Sequence, residues 1–191
     1  SETFSGLTVD VSTASDRITI TSGDTVIVTG TLTLTDGGFN TGTVEAQGNV
    51  TAGSLWSGGS SPFQFTGTAN QTWTTSNVGF GTGDATINKL SGVVTIASGG
   101  GLLLTGASQD LTITAGTLYL NGEDFIHSAT GVFSNNGTLR VQGGETFTSF
   151  TMDTDSGTYE IVGDGDGTGG ETFTLDEFGG TAGLLTLEDI L

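Results

Sequence analysis

Apolar and polar residues alternate along most of this chain, in short runs that recur from one end to the other. Ile18-Thr19-Ile20-Thr21, Val26-Ile27-Val28, Leu32-Thr33-Leu34, Phe63-Gln64-Phe65, Leu111-Thr112-Ile113, Leu118-Tyr119-Leu120 and Leu139-Arg140-Val141 each place apolar side chains at i and i+2. That period puts them on one face of a strand. β-Branched residues fill the runs, and Gly, Asn, Asp or Ser separates them. No stretch sustains a 3.6-residue period, and only the tail from Leu184 to Leu191 has room for a helical turn. The pattern predicts an all-β protein.

A second regularity predicts how the strands are arranged. A Gly-x-apolar-x-apolar unit begins at Gly30, Gly92, Gly116, Gly137, Gly157 and Gly183, and from Gly92 onward its steps are 24, 21, 20 and 26 residues. Further short strands fall between the units. Three short strands in about 22 residues make one turn of a solenoid, and a fixed repeat of that size is the sequence mark of such a fold. The expected architecture is a right-handed parallel β-helix (β-solenoid) of about 8–9 coils, three short strands per coil, forming a single domain over residues 1–191. A longer repeat is superimposed: Thr3-Phe4-Ser5-Gly6-Leu7-Thr8-Val9-Asp10 returns as Thr146-Phe147-Thr148-Ser149-Phe150-Thr151-Met152-Asp153, with a weaker copy at Gly83 to Asn88. It divides the domain into units near 1–80, 81–143 and 144–191. Residues 52–83 break the coil spacing, which predicts an insertion or bulged coil there.

Charge narrows the functional classes. There are 21 acids against three bases, Arg17, Lys89 and Arg140, for a net charge of −18. Binding nucleic acid or anionic lipid requires clustered Lys and Arg, so no nucleic acid and no membrane insertion are expected. No run of 18 apolar residues occurs. The chain begins at Ser1 with no signal sequence, which is expected of a trimmed leader or an excerpt. The absence of Cys does not fix the compartment.

Three groups of residues could carry chemistry. Gly163-Asp164-Gly165-Asp166-Gly167-Thr168-Gly169-Gly170-Glu171 alternates acid and glycine, which lets a turn aim carboxylates at a cation. Asp164, Asp166 and Glu171, joined by Asp153 and Asp155 if the coils stack them together, are the candidate ligands for Ca²⁺. The other reading is a solvated acidic turn between coils. Residues 144–191 hold 11 of the 21 acids and no base. Trp56, Trp73 and Phe63 lie near the turn at Pro62 and form a candidate sugar-stacking surface, although the same rings suit a wide coil or an end cap. His127 stands alone, without the further ligands a zinc site needs. Scattered bases do not suit a polysaccharide lyase, and no carboxylate pair lies in the aromatic-rich setting of a glycosidase. The chain is expected not to be an enzyme.

The phrases "TFSGLTVD", "GDTVIVTGTLTLTDGGFNTGTVEAQGNVT", "FQFTGTANQTWTT", "ATINKLSGVVTIASGGGLLLTG" and "FSNNGTLRVQGGETFT" resemble the repeats of large bacterial surface proteins, adhesin-like or autotransporter-like, built from right-handed β-helix. The resemblance covers most of the chain except roughly 153–178. It implies an extracellular, cell-surface structural or adhesive segment, with host-surface glycans or proteins, or copies of the chain stacked end to end, as partners. Alternatives are a self-assembling filament subunit, a phage or viral fibre, and a β-helical polysaccharide-active enzyme.

Overall fold

The computed structural model describes residues 1–163 and the backbone of 174–175. The strands are parallel and stack as a β-solenoid of about seven turns, with no helix among the described residues. The first face carries β1 (Glu2–Phe4), β4 (Thr25–Val28), β6 (Thr43–Ala46), β8 (Phe63–Phe65), the start of β10 (Ala85–Ile96), the start of β12 (Leu111–Tyr119) and β14 (Phe133–Asn135). The second carries β2 (Leu7–Val9), the starts of β5 (Leu32–Asn40) and β7 (Val50–Gly59), β9 (Gln71–Thr74), the ends of β10 and β12, then β15 (Thr138–Val141) and β17 (Thr158–Ile161). The third carries β3 (Arg17–Thr19), the ends of β5 and β7, then β11 (Leu102–Leu104), β13 (Phe125–His127), β16 (Thr146–Thr148) and β18 (Thr174–Leu175).

Alternation dictates what fills the interior. Along β8, β11, β13 and β14 the burial pattern is buried, half-buried, buried. Each coil therefore sends its i and i+2 side chains inward, onto those of the coils above and below. Val28, Ala46, Phe65, Ile87, Ile113 and Asn135 line the end of the first face, with Asn135 the one polar member. Leu32, Val50, Trp73 and Ile96 stack along the second. At roughly 4.8 Å per rung, seven turns make a rod about 34 Å long.

The recurring glycine has a clear place: Gly30, Gly92, Gly116, Gly137 and Gly157 all stand where the chain turns onto the second face. Here coils approach so closely that side chains do not fit. A Cβ on Gly48 would sit 2.1 Å from the carbonyl oxygen of Gly30, and one on Gly137 would sit 2.5 Å from that of Gly116. The remainder of each coil tolerates variation. The step between paired residues ranges from 18 (Ile27 to Glu45) to 28 (Thr146 to Thr174).

Several features differ from expectation. About seven turns, not eight or nine, are formed, because the coil length is uneven and most residues after 163 lie outside the described part. Bulges do occur at 52–58, where β7 pairs β5 with register shifts, but the longest steps lie later, 27 residues from Asn88 to Ala115 and 28 from Thr146 to Thr174. Thr3 lies on the first face and Thr146 on the third, so these similar phrases share strand-and-turn grammar without occupying equivalent positions.

Replacing Gly48 with Ala is expected to cost roughly 2–4 kcal/mol, because backbone must move to admit the methyl. Gly144, at φ +85° with no heavy atom near its would-be Cβ, should lose only about 1 kcal/mol on the same change. Equilibrium urea unfolding of both variants checks the order.

Candidate functional site

The aromatic candidates lie in the interior of the coil. Trp56, Phe63 and Trp73 are at most 2% exposed, and they belong to one continuous stack. Phe39 meets Trp56 edge-on at 5.9 Å and Phe63 at 6.4 Å; Phe63 and Trp73 both meet Phe80 edge-on, at 4.8 and 4.6 Å; Phe65 lies 4.5 Å from Trp73. These are the offset and edge-to-face geometries that ring quadrupoles favour. The rings thus fill the interior and present no platform to solvent. Their packing has a cost, since both indole N–H groups are buried without an acceptor.

Of the acidic candidates, Asp153 and Asp155 do come together, on the turn that follows β16. Asp153 accepts the N–H of Asn135 at 2.7 Å and that of Asp155 at 3.2 Å, and Tyr159 donates its hydroxyl to the Asp153 carbonyl at 2.7 Å. The Asn135 bond, with further bonds from Asp155, holds the Asp153 carboxyl below its usual range. The hydrogen bond shared with Asp153 and its charge push Asp155 up. Asp164, Asp166 and Glu171 lie outside the described residues. Among the described residues no group of three or more metal-ligating side chains forms.

Several of the described acids instead hold a neighbouring coil. Asp84 accepts the N–H of Asp110 at 3.0 Å, Asp110 that of Val132 at 2.7 Å, and Asp124 that of Thr146 at 2.8 Å. Asn49 and Asn70 do the same for Thr72 and Val93. Each of these Asn and Asp residues immediately precedes a strand or stands one step from it, a signal present in the sequence and missed when acids were read only as charge. Two glutamates are set deeper. Glu123 accepts three N–H groups from Gly99, Gly100 and Gly101 of the coil below, at 2.6, 3.0 and 2.9 Å. Burial pushes its carboxyl up, but these three bonds outweigh it and hold it below the usual range. Glu145, buried, accepts from Gly122, Gln142 and Gly143.

The three bases are also engaged. Arg17 donates to the carbonyls of Ala14 and Asp16, and Arg140 pairs with Glu160 at 2.8 Å while lying 5.8 Å from the Tyr119 ring. Lys89, which the sequence showed only as a scattered base, is 1% exposed. Its ammonium donates to Gln71 Oε1 at 2.5 Å and to the Thr66 carbonyl at 3.1 Å, and burial pushes its pKa down. A shallow cleft of about 240 Å³ opens between the second and third faces, lined by Asn77, Leu103, Glu123, Asp124 and Ile126 among others. Two of its acids already hold backbone N–H groups.

No protein-family model, curated protein sequence or solved structure matches this chain.

Trp56 and Trp73 are the only tryptophans, so fluorescence reads their burial directly. Emission is expected to be blue-shifted and nearly insensitive to acrylamide until the chain unfolds. Trp73→Ala should cost about 3–5 kcal/mol, and Trp73→Phe, which removes an unpaired donor, less than about 2. Strong quenching in the native state would place the rings on the surface.

Proposed function

We propose that this chain is an extracellular structural segment of a cell-surface protein, a non-catalytic β-helical stalk or adhesive module. The observation that carries the reading is where the polar chemistry goes. Asn49, Asn70, Asp84, Asp110, Asp124, Glu123 and Glu145 bond from coil to coil, Lys89 is held inside the stack, and Arg17 and Arg140 are engaged by local carbonyls and by Glu160. Side chains so engaged brace a rod and leave few groups free for turnover. The solenoid architecture and the phrases that resemble bacterial surface-protein repeats support the same reading. The partners are then host-surface glycans or proteins, met by an anionic outer surface that repels nucleic acid and anionic lipid.

A filament subunit is the second reading. Each strand of the first coil, β1, β2 and β3, pairs on one side only among the described residues, and Phe4 and Ile18 are partly exposed there. Such edges template further strands. Ca²⁺ belongs to both readings: a cation held by Asp153 and Asp155, with Asp164, Asp166 and Glu171 following in sequence, would relieve the repulsion between the first two carboxylates.

Incubation with neutral and acidic polysaccharides should release neither reducing ends nor unsaturated products; release that is lost in Asp153→Asn would overturn the non-catalytic reading. In a calcium titration, the melting temperature should rise, and the rise should vanish in Asp153→Asn/Asp155→Asn. Sedimentation followed alongside separates the two readings, since a stalk stays monomeric while a filament subunit grows into fibres.

A further inference from the structure

The one histidine of the chain is buried where the third face turns back to the first. His127 ends β13, points inward and is 3% exposed, at a position that pairs with Leu104 in the coil below. Its ring lies 5.3 Å from Phe125, and its Nε2 is buried without a hydrogen-bond partner. The corner of residues 128–132 closes over that edge. Gly131 is close enough that a Cβ there would stand 2.9 Å from Cε1 and 3.0 Å from Nε2, and its N–H donates to the Ser128 carbonyl at 3.1 Å. Water reaches Nε2 only if this corner moves.

Asp110 is placed to take part. It accepts the Val132 N–H at 2.7 Å, fastening the far end of the corner, and it is the charged group that acts on the imidazole. The other elements packed around the ring bring no titratable side chain: β11 is Leu-Leu-Leu, β14 is Phe-Ser-Asn, β16 is Thr-Phe-Thr, and residues 105–109 are Thr, Gly, Ala, Ser and Gln. Asp153, above β14, is committed to the Asn135 N–H.

We propose that His127 and Asp110 form an acid-sensitive latch, in which protonation of the imidazole lifts the corner of residues 128–132 and draws Asp110 from the Val132 N–H to the imidazolium. The closed corner favours the neutral ring because a charged one would be desolvated with its Nε2 donor unpaired. Burial pushes the His127 pKa down, opposed in part by the Gln109 carbonyl and by Asp110. The sign follows from proton linkage. The open corner, with Asp110 drawn to the imidazolium, binds the extra proton at or above the ordinary value of about 6.5, the closed one only at lower pH. Closure is therefore complete above about pH 6.5 and weakens as pH falls below it, roughly tenfold for each unit until the closed-state value is reached.

The test is amide hydrogen exchange on the full chain between pH 7.5 and 5, corrected for the intrinsic rate, together with the NMR titration of the single imidazole. Protection at Gly131 and Val132 is expected to drop about tenfold per pH unit below 6.5, while Val28 and Val44, in distant coils, keep theirs. The imidazole should titrate below the ordinary histidine range. In His127→Leu, which copies the Leu104 of the coil below, the drop should vanish; in Asp110→Asn, which retains an acceptor for Val132 but not the charge, it should begin at lower pH. Flat protection in the native chain would overturn the latch. An undiminished drop in His127→Leu, an imidazole that titrates normally, or a loss spread evenly over all coils would do the same.

Discussion

Strand-to-strand hydrogen bonding between successive coils fixes their separation at about 4.8 Å, and most of the local chemistry is a response to that distance. Residues at the same position in neighbouring coils are forced into contact, whatever they are. Inside, this rewards layers of like character, so Leu32, Val50, Trp73 and Ile96 follow one another. At the corner onto the second face it can exclude even a methyl group, and Gly30 and Gly48 lie backbone to backbone. Where the chain leaves a strand, N–H groups lose their carbonyl partners, and the nearest replacement is a short side-chain oxygen one rung away.

That last response accounts for much of the acidity. Asp84 and Asp110 are stacked like charges, which would repel in isolation. The N–H of Asp110 points at the Asp84 carboxylate, and the carboxylate of Asp110 in turn holds Val132. Each acid is stabilised by the backbone dipole of its neighbour, so a row of negative charges becomes a seam. Glu123 and Glu145 extend the device to clusters of three donors, where backbone N–H groups form an anion-binding concavity that the protein fills with its own carboxylate.

The architecture was legible because two periods, of two residues and of about twenty-two, are written in residue types that physics restricts: apolar at i and i+2, glycine at the corner. Gly30, Gly92, Gly116 and Gly137 mark the same turn in different coils, where a Cβ on any of them would run into the coil before. The third face was hard to read. It holds isolated rings such as Phe39 and Phe80 on strands that run through a corner or on no strand at all, so alternation has nothing to act on. Burial of Trp56, Trp73 and Phe63 was open in the sequence, since a solenoid can point an aromatic either way with equal periodicity. Lys89 and His127 were invisible as interior residues because their types predict solvent. Only neighbours supplied by the fold make those positions tenable: Gln71, 18 residues before the lysine, and Leu104 of the coil below with Gly131 of the adjoining corner for the histidine.

The uneven coil length has a mechanical side. One rung adds only about 4.8 Å to the rod, yet it stores 18 to 28 residues of contour. Drawn out at ~3.4 Å per residue, a single released coil yields roughly 60–95 Å of slack. Tension on such a rod would be relieved in discrete increments, each many times the height of the rung lost, while the remaining coils keep their contacts. The same winding that makes the rod stiff under small loads makes it a reel under large ones.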